Sequence, residues 1–372
     1  MARMAGTLPR HARARLLWRR IHLWLALAIG LPLALLGLSG TVLVLKSPLF
    51  KLDFGAETFA VIPQDRPYTM PGAWVANAQA AYSQIDQVVG IAGPRQSPVE
   101  TDAALLTVSL KDGTYGFVTV DPYSAEVKGF FSYGDGLVFK ALDFHRSFLL
   151  PEAWESVGES AAAIVAALFL LSAGSGLWLW WPRNDARNGR WKRALAMQGG
   201  RQRLRSLHNL GAVYLFVPLV VIAVTGLLLA RPDWFGFGRG GPGRVAPAPA
   251  EERCAIPASL DQAVAVALIA RPGSRLASAG LPGSGKGGYS IRVLTGADPH
   301  GPSAAITVSR CGRIDRVRDL PAGHGPGGLV QALHRDLLLG AAGRIAAAAA
   351  GLALPFLYVT GIWMWLRRRA RC

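Results

Sequence analysis

Four stretches of this chain run for twenty or more residues with hardly a polar side chain, and the sequence between them alternates like soluble protein. The apolar stretches cover residues 21–46, 155–181, 207–230 and 341–366, and none holds an acidic or basic residue in its middle. Crossing a bilayer takes about 20 apolar residues, so the pattern predicts four transmembrane helices. Residues 47–142 and 231–331 read differently. In the first, a helix over 73–82 precedes strands at 87–92, 104–110, 115–121 and 126–131. In the second, a helix over 259–270 precedes strands at 289–294, 304–309 and 314–317. Residues 235–249 are rich in Gly, Pro and Ala and read as a loose linker. The expected fold class is an α-helical membrane protein of two tandem helix–domain–helix repeats, each with an extracytoplasmic α+β domain.

Charge orients this arrangement. The chain has 372 residues and a net charge of +17, which at first suggests nucleic acid. The excess sits in three places: the arm 1–20, the link 182–206 and the tail 367–372. The arm carries Arg3, Arg10, Arg13, Arg15, Arg19 and Arg20 with no acid. The link carries Arg183, Arg187, Arg190, Lys192, Arg193, Arg201, Arg203 and Arg205 against Asp185, and the tail carries Arg367, Arg368, Arg369 and Arg371. The rest of the chain is neutral, so no domain-sized basic surface remains for nucleic acid. Basic residues beside a span stay in the cytoplasm. Both termini and the link are therefore expected inside, in a multi-pass inner-membrane protein, where the charge also meets anionic lipid. The first span is too long for a signal-peptide core and has no small-residue cleavage site after it, so it reads as an uncleaved anchor.

The two halves match at a fixed offset. Aligning His22 with His208 also aligns Arg19 with Arg205, Pro32 with Pro218, Ser39 with Thr225 and Gly40 with Gly226. The other ends match too. His145-Arg146 precedes the second span and His334-Arg335 the fourth, and both spans close on tryptophans (Trp178, Trp180, Trp181; Trp363, Trp365) suited to the interface. Four histidines thus fall into two pairs, His22 with His208 and His145 with His334, one pair at each membrane face. A histidine at a membrane boundary needs a partner, and neutral imidazole is a good axial ligand for iron. Two facing imidazoles would clamp a b-type haem without a covalent link, and no C-x-x-C-H motif for covalent attachment is present. A helix of about 24 residues is roughly 36 Å long, so one or two bis-histidine haems are expected, with two needed to bridge the faces. His11, His300 and His324 have no counterpart.

Other residues admit two readings each. Gly40 and Gly226 suit close approach of a macrocycle or close helix packing. Arg146 and Arg335 suit haem propionates or lipid phosphates. Pro32 and Pro218 are expected to kink their helices. Cys254 and Cys311 fall in the second outer segment, where an oxidising compartment permits a disulfide, but their pairing is left open. Gly280 to Gly287 approaches a P-loop but has Gly287 where Ser or Thr is required. No flavin or nicotinamide motif is evident, so electrons would come from a separate cytoplasmic donor.

These motifs, in this order, resemble the PepSY-associated transmembrane family of iron-regulated membrane proteins, which includes inner-membrane siderophore reductases. The resemblance rests on Arg19-Arg20-Ile21-His22, His145-Arg146, His334-Arg335, Thr225-Gly226, Thr360-Gly361 and the Trp-rich helix ends. It covers nearly the whole chain, with Ser39 and Ser175-Gly176 as mild departures. It implies two PepSY-like outer domains and, for the reductase branch, haem held at His22, His145, His208 and His334. It also implies electron delivery to a ferric siderophore outside. The alternative is a non-enzymatic, membrane-anchored PepSY protein that binds an envelope protein or peptide.

Overall fold

The computed structural model describes residues 10–96, 101–181, 194–237, 254, 256–283, 287–296, 301–320 and 326–369. Residues 182–193 of the basic link, residues 238–249 of the expected linker, His300 and His324 lie outside them. The chain divides into two compact units, one of helices and one built on a sheet.

The helical unit contains α1 (Arg10–Val44), α5 (Glu155–Trp180), α6 (Arg203–Tyr214), α7 (Phe216–Ala230) and α10 (Gly340–Arg369). It also holds the C-terminal turns of α4 (Gly136–Ser147) and α9 (Pro326–Asp336). α1, the stretch ending at Trp180 and α10 are each long and apolar enough to cross a membrane, and α6 with α7 adds a fourth if that bent pair is one span. Helix α1 packs on α5 and α10, α5 on α7, and α10 on α6 and α7, which closes a ring. Ile29, Phe169, Leu219 and Ala350, one from each helix, meet at its centre. The outward residues are apolar as well: Trp24, Val217 and Ile345 are 66%, 69% and 72% exposed. Apolar side chains on both faces are what a helix in lipid shows, because no water is there to exclude.

Two local features shape the ring. The two prolines expected to kink their helices behave differently. Pro218 cannot donate to the carbonyl of Tyr214, and the helix breaks at Leu215 with a bend of 59°. Pro32 lies inside an unbroken α1. Helices α1 and α10 touch through their backbones, because a Cβ on Gly37 would stand 2.4 Å from the Gly351 carbonyl oxygen. The Thr41 hydroxyl bonds the Gly37 carbonyl at 2.9 Å in this contact. Small residues four apart let helices approach closely in lipid.

The sheet unit is one antiparallel sheet of eight strands in the order β4-β3-β2-β1-β5-β6-β7-β8. Strands β1 (Ile85–Ala92), β2 (Ala104–Leu110), β3 (Tyr115–Val120) and β4 (Val127–Ser132) come from the first half. Strands β5 (Ser274–Gly280), β6 (Gly288–Thr295), β7 (Ser303–Ser309) and β8 (Ile314–Leu320) come from the second. The halves join where β1 pairs with β5, at Gly90 with Gly280 and Ile91 with Ala279. Helices α3 (Pro71–Ala81) and α8 (Leu260–Ala270) cover one face. Trp74, Ala78, Leu260 and Val264 there meet Leu106, Val118, Ile291 and Ile306. The Asp261 carboxylate accepts the Gly72 N–H at 2.7 Å, so one helix start caps the other. On the opposite face of the first half, Phe50 and Phe54 of α2 (Lys46–Phe54), with Phe59 and Phe139, pack on Phe117 and Phe131. Cys254 and Cys311 form a disulfide that fixes the β7–β8 turn.

Two outcomes follow. Gly37→Leu should destabilise the detergent-solubilised protein by about 1–3 kcal/mol through overpacking. Thermal unfolding should show this, and Gly174→Ala, where an added Cβ meets nothing, should be neutral. Thiol labelling of unfolded, unreduced protein should modify Cys372 and spare Cys254 and Cys311; labelling of all three would disprove the disulfide.

Candidate functional site

The four matched histidines share one local arrangement. His22 of α1 lies on Ser175-Gly176 of α5, with Nδ1 3.0 Å from both the Ser175 hydroxyl and the Ser172 carbonyl oxygen. His145 of α4 lies on Ser39-Gly40 of α1, with Nδ1 3.1 Å from the Ser39 hydroxyl and 3.1 Å from the Leu36 carbonyl. His208 of α6 lies on Thr360-Gly361 of α10, with Nδ1 2.9 Å from the Thr360 hydroxyl. His334 of α9 lies on Thr225-Gly226 of α7, with Nδ1 3.2 Å from the Thr225 hydroxyl and 3.0 Å from the Ile222 carbonyl.

The glycine in each seat makes room for the ring. A Cβ on Gly40, Gly176 or Gly226 would stand 3.1, 3.1 or 2.9 Å from the imidazole Cε1. At Gly361 the distance is 3.7 Å, an ordinary contact. Gly40 and Gly226 were expected to admit a macrocycle or a second helix, and here they seat an imidazole.

This geometry decides the tautomer. Each seat hydroxyl donates to a carbonyl of its own helix: Ser39 to Leu36, Ser175 to Ser172, Thr225 to Val221 and Thr360 to Phe356. Its lone pairs then face the imidazole. A carbonyl oxygen can only accept, so Nδ1 carries the proton and donates. Nε2 is left as an unprotonated lone pair, and among the described residues it has no hydrogen-bond partner in any of the four. All four residues are partly buried. Histidine ligands to metals are commonly held this way, Nδ1–H to an oxygen and Nε2 to the ion.

The seats lie within each half and the facing pairs lie across halves. The rings of His145 and His334 are 6.0 Å apart between centroids and tilted by 52°. Among the described residues no such ring contact joins His22 and His208. Along α1, His22 and the Gly40 seat are 18 residues apart, or about 27 Å at 1.5 Å per residue. The two pairs therefore sit at different levels of the bundle.

The turns after the outer histidines fix their helix ends. Phe148 and Leu149 have φ of 56° and 60°, and Leu337 and Leu338 have 54° and 62°. Left-handed conformations at bulky residues cost about 1–3 kcal/mol each and persist only where surroundings impose them. Here Phe148 N–H bonds the Phe144 carbonyl, and Leu338 N–H bonds the buried Asp336 carboxylate. Each turn also rests on a glycine of the next helix, the Ser147 carbonyl on Gly158 and the Asp336 carbonyl on Gly343.

Arg146 and Arg335 were expected to meet propionates or lipid phosphates. In the structure Arg146 pairs with Glu155 at 3.0 Å and Glu159 at 3.2 Å, and Arg335 with Asp336 at 3.1 Å, while the two arginine side chains stay 49% and 44% exposed. Their partners Glu159 and Asp336 are largely buried, with side chains 16% and 10% exposed. The residues the sequence reading missed are the seat hydroxyls Ser39, Ser175, Thr225 and Thr360. Their signal was a Ser/Thr-Gly pair in each of the four spans.

Helices of this length and apolarity, with the attached sheet, define a multi-pass membrane protein. The family model for the PepSY-associated TM region matches residues 19–368, and the chain belongs to that family. No curated protein matches it.

The seats predict a spectroscopic result. Nitrogen-15 NMR of histidine-labelled protein should show four neutral imidazoles protonated at Nδ1, and Gly226→Val should disturb the His334 signal most. Four Nε2-protonated rings would contradict the hydrogen bonding.

Proposed function

We propose that the protein is an inner-membrane electron carrier holding b-type haem between its halves, which reduces an iron chelate of the siderophore type outside the cell membrane. In this reading α6 and α7 form one bent span, so the chain crosses four times in two helix–domain–helix repeats. Both termini and the basic link are cytoplasmic, and each half contributes one PepSY-like module to the shared sheet. The disulfide agrees with an oxidising compartment for that sheet.

The observation that carries the reading is the outer histidine pair. Two metal–nitrogen bonds of about 2 Å, with half a ring on either side, separate imidazole centroids by roughly 6 Å, and the observed separation is 6.0 Å. Both Nδ1 atoms are committed to oxygens, so both lone pairs are available to one iron. The donor set, two neutral imidazoles in an apolar bundle, suits a low-spin haem iron. His145 and His334 would hold the outer group and His22 and His208 the inner one.

Bound haem would supply a one-electron Fe(III)/Fe(II) couple at each face. The chain's own residues keep the imidazoles neutral, orient them through the hydroxyls of the seats, and exclude water with Ile29, Phe169, Leu219 and Ala350 between the two levels. A donor on the cytoplasmic side would supply the electron. Reduction frees iron because Fe(II) binds hard oxygen ligands less tightly than Fe(III).

Protein purified in detergent should be red, with a sharp alpha band on reduction by dithionite. His145→Ala or His334→Ala should each remove the outer haem, and His22→Ala or His208→Ala the inner one, as read by haem content per protein. A colourless preparation from haem-replete cells, or haem content indifferent to all four substitutions, would sink the reading.

A further inference from the structure

The two halves of the sheet differ sharply at one equivalent place. On the face away from α3 and α8, the row Thr107, Phe117, Phe131 crosses β2, β3 and β4. The hairpin beginning at Thr119 matches the one beginning at Thr307, so Phe117 corresponds to Ala305. The matching row in the second half is Arg292, Ala305, Arg318, across β6, β7 and β8. In the next row Thr119 pairs with Gly129, whereas Thr307 pairs with Arg316. Where the first half has two phenylalanines packed under four more, the second has an alanine floor flanked by three arginines.

Nothing described neutralises those arginines. Strand β8 reads Ile-Asp-Arg-Val-Arg-Asp-Leu, so its acids and bases point to opposite faces. The acids are already paired, Asp319 with Arg271 at 2.7 Å and Asp315 with Arg313 at 3.7 Å. Arg316 and Arg318 are exposed, and Arg292 Nε is screened from solvent with no hydrogen-bond partner among the described residues. A guanidinium nitrogen withdrawn from water without an acceptor is costly.

We propose that this face binds a small soluble polyanion carrying two or more carboxylates. Arg292 and Arg318 stand two strands apart, about 10 Å, and their side chains can converge above Ala305. Guanidinium groups bind carboxylate oxygens in pairs, and Ser290 and Thr307 on the same face add hydroxyl donors. The missing phenyl ring at position 305 provides the volume. Binding does not depend on haem. Resting on the electron-transfer reading, the same site would select an iron chelate of net negative charge over a neutral or cationic one.

The test uses the full-length protein in detergent with citrate as the probe and neutral trimethyl citrate as the control, followed by calorimetry. Citrate should bind, the ester should not, and added salt should weaken binding. Arg292→Ala and Arg318→Ala should each weaken citrate by about tenfold. Ala305→Phe, which restores the ring of the first half, should abolish it. The exposed Arg318 variant keeps the test valid if Ala305→Phe misfolds. Absence of citrate binding, equal binding of the ester, or unchanged binding by the arginine variants overturns the proposal. Absorption spectra of the same samples report on haem separately, so either idea can fail alone.

Discussion

A neutral imidazole inside an apolar bundle has one N–H to give and one lone pair to leave free, and lipid offers no water to take up the mismatch. The chain solves this four times with the same parts. A hydroxyl that has already given its proton to its own helix accepts Nδ1–H in all four; at His22, His145 and His334 a carbonyl one turn earlier accepts it too, and Gly176, Gly40 and Gly226 leave room for the ring. Each hydrogen bond is worth about 1 kcal/mol net, but leaving a buried N–H unpaired costs more. Much else serves this contact. The ring of helices brings seat and histidine together, and the strained turns at Phe148–Leu149 and Leu337–Leu338 hold the helix ends that deliver the outer pair.

Much of this was legible in the residues. Long uncharged stretches announce lipid, and the strands β2, β3, β6 and β7 alternate as half-buried strands must. The histidine register followed from the offset between halves. Other features depend on partners far along the chain. Strand β5, Ser-Arg-Leu-Ala-Ser-Ala-Gly, has little β propensity and is a strand because β1 and β6 pair with it. The fusion of two modules into one sheet rests on that pairing and has no local signature. The short helix α2 is held by the packing of Phe50 and Phe54 on Phe131 and Phe139.

The candidate site shows the same division. Which histidines share an arrangement could be read from their repetition, and why Ser or Thr precedes glycine in each span could not. A Ser/Thr-Gly pair in an apolar helix first suggests helix contact, and α1 with α10 does use Gly37 and Gly351 so. Only the fold shows that Gly40, Gly176 and Gly226 face rings. The acids that pair with the arginines beside the outer histidines lie on the next helix, Glu155 and Glu159, or next in the chain, Asp336. Conversely, the basic row on the sheet is invisible in sequence, because Arg292, Arg316 and Arg318 become neighbours only through strand register.

The division between seats and pairs has a thermodynamic consequence. Each half prepares its two imidazoles alone, but a ligand that needs one from each half exists only when the halves are together. Its binding free energy therefore adds directly to their association. Across a two-fold axis such a ligand takes identical contributions from identical partners. A single chain that carries both halves makes their encounter permanent.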